Sequence, residues 1–200
     1  MSKKYYSQAI VSFSFLLMIS MSGFAQSTKL AKGDAAPQFN TQASLAGKEF
    51  DYSLKKALDK GTVVVYFYPS AYTGGCDLEA HEFAELNDQF KAAGATIIGV
   101  SADDIQRLNA FSSDSNFCAG KIPVASDPEG KIAASYGLII SPAKAGAKDV
   151  RGQEINHGFI PRTTFVIDKK GKIVAVFSSE TDHISPDQHV KKSLEVVKAI

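Results

Sequence analysis

Surplus charge, metal-ligand spacing, internal repeats and long apolar runs are all missing from this 200-residue chain. Its 22 Lys and Arg are matched by 21 Asp and Glu. A nucleic-acid binder needs a basic face, so no such partner is expected. His81, His157, His183 and His189 follow no ligand spacing, so neither a metal nor another cofactor is expected. Cysteine is scarce: Cys76 and Cys118 are the only two, and they form no Cys-x-x-Cys pair. No low-complexity tract or second domain is visible. What remains is 44% hydrophobic, the share of a globular domain.

The apolar run at residues 9–21 is shorter than a membrane span requires. Lys3 and Lys4 precede it, and Gly23-Phe24-Ala25 offers small residues for cleavage before Gln26. Residues 1–25 therefore read as a secretory signal peptide, with an uncleaved anchor as the alternative. The chain is expected in an exported location, the bacterial periplasm, without stable membrane association after cleavage. No cysteine follows the apolar run, which argues against a lipidated N-terminus. Residues 26–200 are enough for a single domain with a real core.

One stretch organises the rest. Residues 62–68, Thr-Val-Val-Val-Tyr-Phe-Tyr, are β-branched and aromatic on both faces and end at Pro69. That pattern predicts a strand buried inside a sheet. A loop with Ser70, Thr73, Gly74 and Gly75 follows. From Cys76, apolar residues at 80, 83, 86 and 90 recur close to helical spacing and predict a helix over 76–92. A thiol thus stands at a helix N-terminus, where unpaired N–H groups and the positive end of the dipole favour the thiolate. An ordinary cysteine is only about 3% thiolate at pH 7. The competing role, a small buried hydrophobe, fits poorly with two glycines and a threonine as neighbours.

Along the chain, an extended arm over 28–40 leads to a turn at 44–48 and a short strand. A brief helix at 54–60 stops at Gly61. A second buried strand is expected at 96–101, joined to the first by a right-handed parallel crossover. A helix should run from Asp103 and Asp104 to about Cys118, followed by an edge segment at 122–125 and a turn at Asp127-Pro128-Glu129-Gly130. One or two helical turns at 131–136 precede an irregular surface insertion at 138–158. A hairpin, 163–167 with 172–177, and a helix over 186–200 close the chain. Alternating strands and helices make a mixed central sheet flanked by helices, an α/β fold.

Pro69-x-x-x-Thr73-x-x-Cys76 resembles the active-site signature of the peroxiredoxins, thiol peroxidases on a thioredoxin-like fold. Gly33-x-x-Ala36-Pro37-x-Phe39 is similar to the arm of the peroxiredoxin N-terminal extension. Tyr66-Phe67-Tyr68-Pro69, Glu79, Val100-Ser101-Ala102-Asp103, Ser126-Asp127-Pro128-Glu129-Gly130 and Pro161-Arg162-Thr163-Thr164-Phe165-Val166-Ile167-Asp168 resemble the Q-type, or bacterioferritin comigratory, branch. The pieces occur in family order across nearly the whole mature chain.

The resemblance implies roles. Cys76 would be the peroxidatic cysteine, and Thr73 would hydrogen-bond its thiolate and the peroxide. Arg162 would lower the thiol pKa and polarise the peroxide, and Pro69 would shield the site. Singly, each has an ordinary explanation, as helix cap, solvated charge or strand terminator. Substrates would be hydrogen peroxide and small organic hydroperoxides. The reductant would be a thioredoxin-like or other thiol donor, and the assembly a monomer or weak dimer. Many Q-type relatives carry a second cysteine a little over one turn beyond the first; here that residue is His81. Cys118 looks like the resolving cysteine of the variant that places it on the next helix. A Cys76–Cys118 disulfide would close a loop worth about 4 kcal/mol against unfolding, but it requires local unwinding at both ends because disulfide geometry is tight. Gly74 and Gly75 would loosen the loop and ease that unwinding. The alternatives are an exported thiol–disulfide oxidoreductase, which lacks its second thiol here, and a non-catalytic protein with a static disulfide.

Overall fold

The computed structural model describes Met1 and residues 29–200, so the signal-peptide reading of residues 1–25 lies outside it. In chain order the elements are β1 (Asn40–Leu45), β2 (Lys48–Ser53), α1 (Leu54–Leu58), β3 (Thr62–Phe67), α2 (Gly74–Ala92), β4 (Ala95–Ser101) and α3 (Ile105–Ser113). Then follow β5 (Val124–Ser126), α4 (Lys131–Ser135), β6 (Thr163–Ile167), β7 (Ile173–Ser178), α5 (Ser179–Asp182) and α6 (Pro186–Lys198). The seven strands form one sheet in the order β2-β1-β5-β4-β3-β6-β7. β3 and β5 both lie parallel to β4, and the other pairings are antiparallel. This is the mixed α/β sheet expected.

β3 is the middle of the molecule because neither of its faces can tolerate water. Val63, Val65 and Phe67 enter one apolar layer with Leu54, Ile98, Tyr136 and Phe165. Val64, Tyr66 and Tyr68 enter the opposite layer with Phe83, Phe90, Cys76 and Cys118. Period-two alternation sends successive side chains to opposite faces, so an all-apolar strand needs cover on both. Each such side chain contributes about 1.5–3 kcal/mol by leaving water. α2 supplies cover on the cysteine side. Its buried residues are Cys76, Glu79, Ala80, Phe83, Ala84, Asn87 and Phe90, one stripe at helical spacing.

Three expectations are corrected. The helix after Asp104 stops at Ser113, short of Cys118. Ser112 and Ser113 bond back to helix carbonyls, and the Asp114 carboxylate takes the Asn116 N–H at 2.9 Å, so side chains replace the helical ladder there. Cys118 therefore sits in a series of turns, with Ala119 at φ 51°. The segment at 122–125 is not an edge: β5 lies between β1 and β4, because the β1–β2 hairpin adds outside it. The stretch 138–158 is irregular, yet it is not merely a surface insertion. Asp149 and Ile155 are buried in it, and Ser141 bridges Phe159.

Candidate active site

α2 begins two residues earlier than its apolar pattern suggests. Thr73 is the N-cap, with extended backbone at φ −127° and ψ 134°. Gly74 and Gly75 are the first two helical residues, so they belong to the helix and not to a loose loop, and Cys76 is the third. The Cys76 N–H reaches the Thr73 carbonyl at 2.7 Å, closing the first turn tightly. The Thr73 hydroxyl donates to the Ser70 carbonyl at 2.8 Å, folding the loop against the helix start. Pro69 is half-buried where the chain leaves β3.

Arg162, just before β6, meets this turn from the strand next to β3. Its Nη2 lies 3.1 Å from the Cys76 sulfur, and its Nη1 donates to Glu79 Oε2. Glu79 stands one turn beyond Cys76 on the same buried stripe, with its side chain wholly enclosed. Arginine suits this place because one planar fork can hold a sulfur and a carboxylate together. Burial pushes the Glu79 carboxyl up to about 7, against the pull of the Arg162 charge.

The same burial acts on the thiol. Cys76 is 1% exposed, and loss of solvent pushes its pKa up despite the Arg162 charge, a backbone bond from Ser70 and the Thr73 hydroxyl. The expectation of a net lowered pKa is therefore corrected: the donors are in place, but they oppose desolvation without overcoming it. A thiolate formed here is scarcer and, by the same token, intrinsically more nucleophilic.

Behind Arg162, His189 on α6 bridges Thr164 and Ser179 at 2.9 Å each. Burial and the nearby Arg162 hold it near 4, so it stays neutral and adds no rival charge. Cys118 is fully buried in the same apolar layer as Cys76, and both thiols are free. Burial pushes the Cys118 thiol far up, and the Asp114 and Asp77 carboxylates add to the effect. His81 is exposed on α2, away from the buried stripe. No cluster that could hold a metal occurs among the described residues.

The structure thus brings Cys76, Thr73 and Arg162 together, with Pro69 at the loop entrance and Cys118 elsewhere in the same layer. Sequence reasoning quoted Glu79 without giving it a function. A carboxylate three residues beyond Cys76, on the buried face of a helix, was the available signal. Sequence reasoning left out Tyr72, Arg107, Asp149 and Arg151 and weighed His157 only as a metal ligand; all five surround the loop from outside. No periodicity marks these.

Gly75 leaves room for the close approach of Arg162. A Cβ there would lie 3.2 Å from Nη2 and 3.4 Å from Pro186, whereas at Gly74 nothing stands within 4 Å. Gly75→Ala is therefore expected to displace the guanidinium and slow peroxide reduction about tenfold, since a small misplacement of a catalytic group is costly. Gly74→Ala should leave the rate unchanged and raise stability by up to about 1 kcal/mol. Peroxide-consumption rates and urea midpoints of the two variants check this; equal rates would remove the steric argument.

A buried thiol at a helix N-terminus, paired with an arginine on a thioredoxin-like sheet, defines a thiol peroxidase. Residues 32–176 match the AhpC/TSA family, and the chain belongs to it. It is 32% identical over 173 residues to the chloroplastic peroxiredoxin Q of Populus jackii, covering 86% of this chain and 70% of that one. Among solved structures it is similar to peroxidoxin BcpB from Mycobacterium tuberculosis, with TM-score 0.69, 30% identity, and coverage of 86% of this chain and 98% of that one. It is also similar to peroxiredoxin Q of Xanthomonas campestris, with TM-score 0.57, 28% identity, and coverage of 79% and 89%.

Proposed function

We propose that Cys76 is the peroxidatic cysteine, that Arg162 and Thr73 bind and polarise the peroxide, and that Cys118 resolves the product. The observation that carries this reading is the 3.1 Å approach of Arg162 Nη2 to the Cys76 sulfur at the first turn of α2. The thiolate attacks the terminal peroxide oxygen, and the S–O bond forms as the O–O bond breaks. The departing oxygen takes a proton and leaves as water or alcohol. Negative charge moves from sulfur to that oxygen, and the Arg162 guanidinium, fixed between the sulfur and Glu79, stabilises it through its charge without rearranging. Pro69 and the buried wall keep water from competing.

Cys76 is left as sulfenic acid. Attack by the Cys118 thiol forms the S–S bond, breaks S–O, and releases the hydroxyl with the thiol proton as water. Because both thiols are enclosed, this step includes opening of the segments 70–76 and 114–120. Hydrogen peroxide and small organic hydroperoxides fit as substrates, and a thioredoxin-like thiol donor returns the disulfide to thiols. The lysines, apolar run and small residues within 1–25 support export to a periplasm, where that donor would also be exported.

The test is peroxide consumption by the mature chain with dithiothreitol as reductant. Activity is expected in the wild type and absent in Cys76→Ser, a loss of at least about a thousandfold, as for other deleted nucleophiles. Insulin reduction without peroxide consumption would favour an oxidoreductase instead, and inactivity of the wild type would leave only a binding role.

A further inference from the structure

The irregular stretch 138–158 is fastened to the three residues that lead into the Cys76 turn. The Val150 N–H bonds the Tyr72 carbonyl at 2.9 Å. The Arg151 guanidinium lies over the Tyr72 ring, 3.2 Å from its centre. Asp149, whose side chain is fully enclosed, holds Arg151 through Nη2 at 2.8 Å and Nε at 3.0 Å, and Arg107 at 2.8 Å. Arg107 in turn donates to the Ala71 carbonyl at 2.9 Å. Ala71 N–H and the Ser70 hydroxyl bond the buried Asp103, which also pairs with Arg107 and His157. Ser70, Ala71 and Tyr72 are each tied down from outside the loop.

Tyr72 joins the two cysteine-bearing segments. It sits at φ 60°, a conformation that costs a non-glycine residue free energy and persists only where surroundings enforce it. Its ring packs edge-on against Phe111 at 5.1 Å and Phe117 at 5.4 Å, and Phe117 directly precedes Cys118. Releasing Tyr72 would loosen the cover of both thiols at once. A cavity of about 680 Å³, lined by Arg107, Arg151 and His157 among others, gives the Arg151 side chain room to swing away.

We infer that Asp149 and Arg151 form a latch on Tyr72 that sets how often the active-site loop opens, and therefore how fast sulfenic Cys76 is captured by Cys118. This rests on the proposed resolving role only for its second half. Arg151 is a positioning residue: it touches neither sulfur nor peroxide. In the closed state the sulfenate stays beside Arg162, where a second peroxide can oxidise it to sulfinic acid, transferring one oxygen and leaving as water or alcohol. In the open state it meets the Cys118 thiol. A tight latch shifts the outcome toward sulfinic acid, and a loose one toward disulfide.

The experiment compares wild type, Arg151→Ala and Arg151→Lys. In the reduced protein, iodoacetamide labelling of Cys76, mapped by mass spectrometry, reads the open fraction, because the sulfur is 1% exposed when closed. Arg151→Ala is expected to label about tenfold faster, the effect of losing a part-exposed cation–aromatic contact together with its ion pair to the buried Asp149, and Arg151→Lys should fall between. Amide exchange should accelerate at residues 70–78 and 114–120 while β3 keeps its wild-type protection. Under excess peroxide, the ratio of sulfinic acid to Cys76–Cys118 disulfide should fall by a similar factor. Unchanged labelling, or acceleration shared equally by β3, would overturn the latch. Absence of any Cys76–Cys118 linkage in the wild type would instead overturn the resolving role, with labelling and exchange still deciding the latch.

Discussion

Replacing Arg162 with Met will slow the reaction of Cys76 with peroxide by about a hundredfold to a thousandfold, the usual effect of removing one donor aimed at developing charge. Two losses combine. The sulfur loses the positive charge that opposes its desolvation, so the thiolate becomes rarer. The departing oxygen loses the guanidinium charge beside it. The same change strands Glu79, which is wholly enclosed and already pushed up to about 7. Breaking one half of a buried pair costs about 3–5 kcal/mol. A carboxyl whose folded pKa lies above its unfolded value favours the fold while protonated, and that advantage is lost as pH rises through the folded value. The variant should therefore be least stable above pH 7 and recover toward pH 5. Adding Glu79→Gln to Arg162→Met should restore stability at pH 8 while leaving the peroxide reaction slow. Urea midpoints at both pH values and stopped-flow oxidation rates separate the two losses. A double variant that regained activity would mean that Arg162 serves only to neutralise Glu79.

The second large effect concerns Cys118. Cys118→Ser should leave the first oxidation of Cys76 within about twofold of wild type, because Cys118 makes no contact with Arg162 or Thr73 in the proposed step. Steady turnover supported by a thioredoxin-like donor should fall by at least about tenfold. Intact-mass measurement after one equivalent of peroxide should show a gain of one oxygen in the variant and a loss of two hydrogens in the wild type. Excess peroxide should then carry the variant on to sulfinic acid. Retained turnover with the small thiol dithiothreitol is expected, since such a reductant can approach sulfenic acid directly. A wild-type disulfide between two chains would send the resolving role to a different pairing.

Much of this arrangement is legible from the chain alone where burial follows a period. β3 announces itself because seven consecutive apolar or β-branched residues fit only a doubly covered strand. The hairpin β6–β7 is marked by Asp168-Lys169-Lys170-Gly171, with Gly171 at φ 80° and the Asp168 carboxylate capping the turn. Cys76, Thr73 and Arg162 were found through motif order rather than through periodicity. What escaped has a common cause. The end of α3 depends on serines that prefer their own helix carbonyls and on an Asp114 side chain that closes a turn, choices that an apolar pattern does not encode. The direction of the Cys76 pKa depends on how completely Phe83, Tyr66 and their neighbours exclude solvent, a quantity fixed only by packing. The attachment of 138–158 rests on Asp149 finding Arg107, more than forty positions away, within a segment lacking any repeat.

The two apolar layers of the sheet have a further consequence. Both sulfurs lie on one side of β3, while Leu54, Ile98, Tyr136 and Phe165 fill the other. In the proposed redox cycle only one compartment loosens, and the far compartment would serve as ballast that carries the memory of the native topology through every turnover. A catalyst laid out this way can let its working half come apart repeatedly without the molecule ever having to find its fold again.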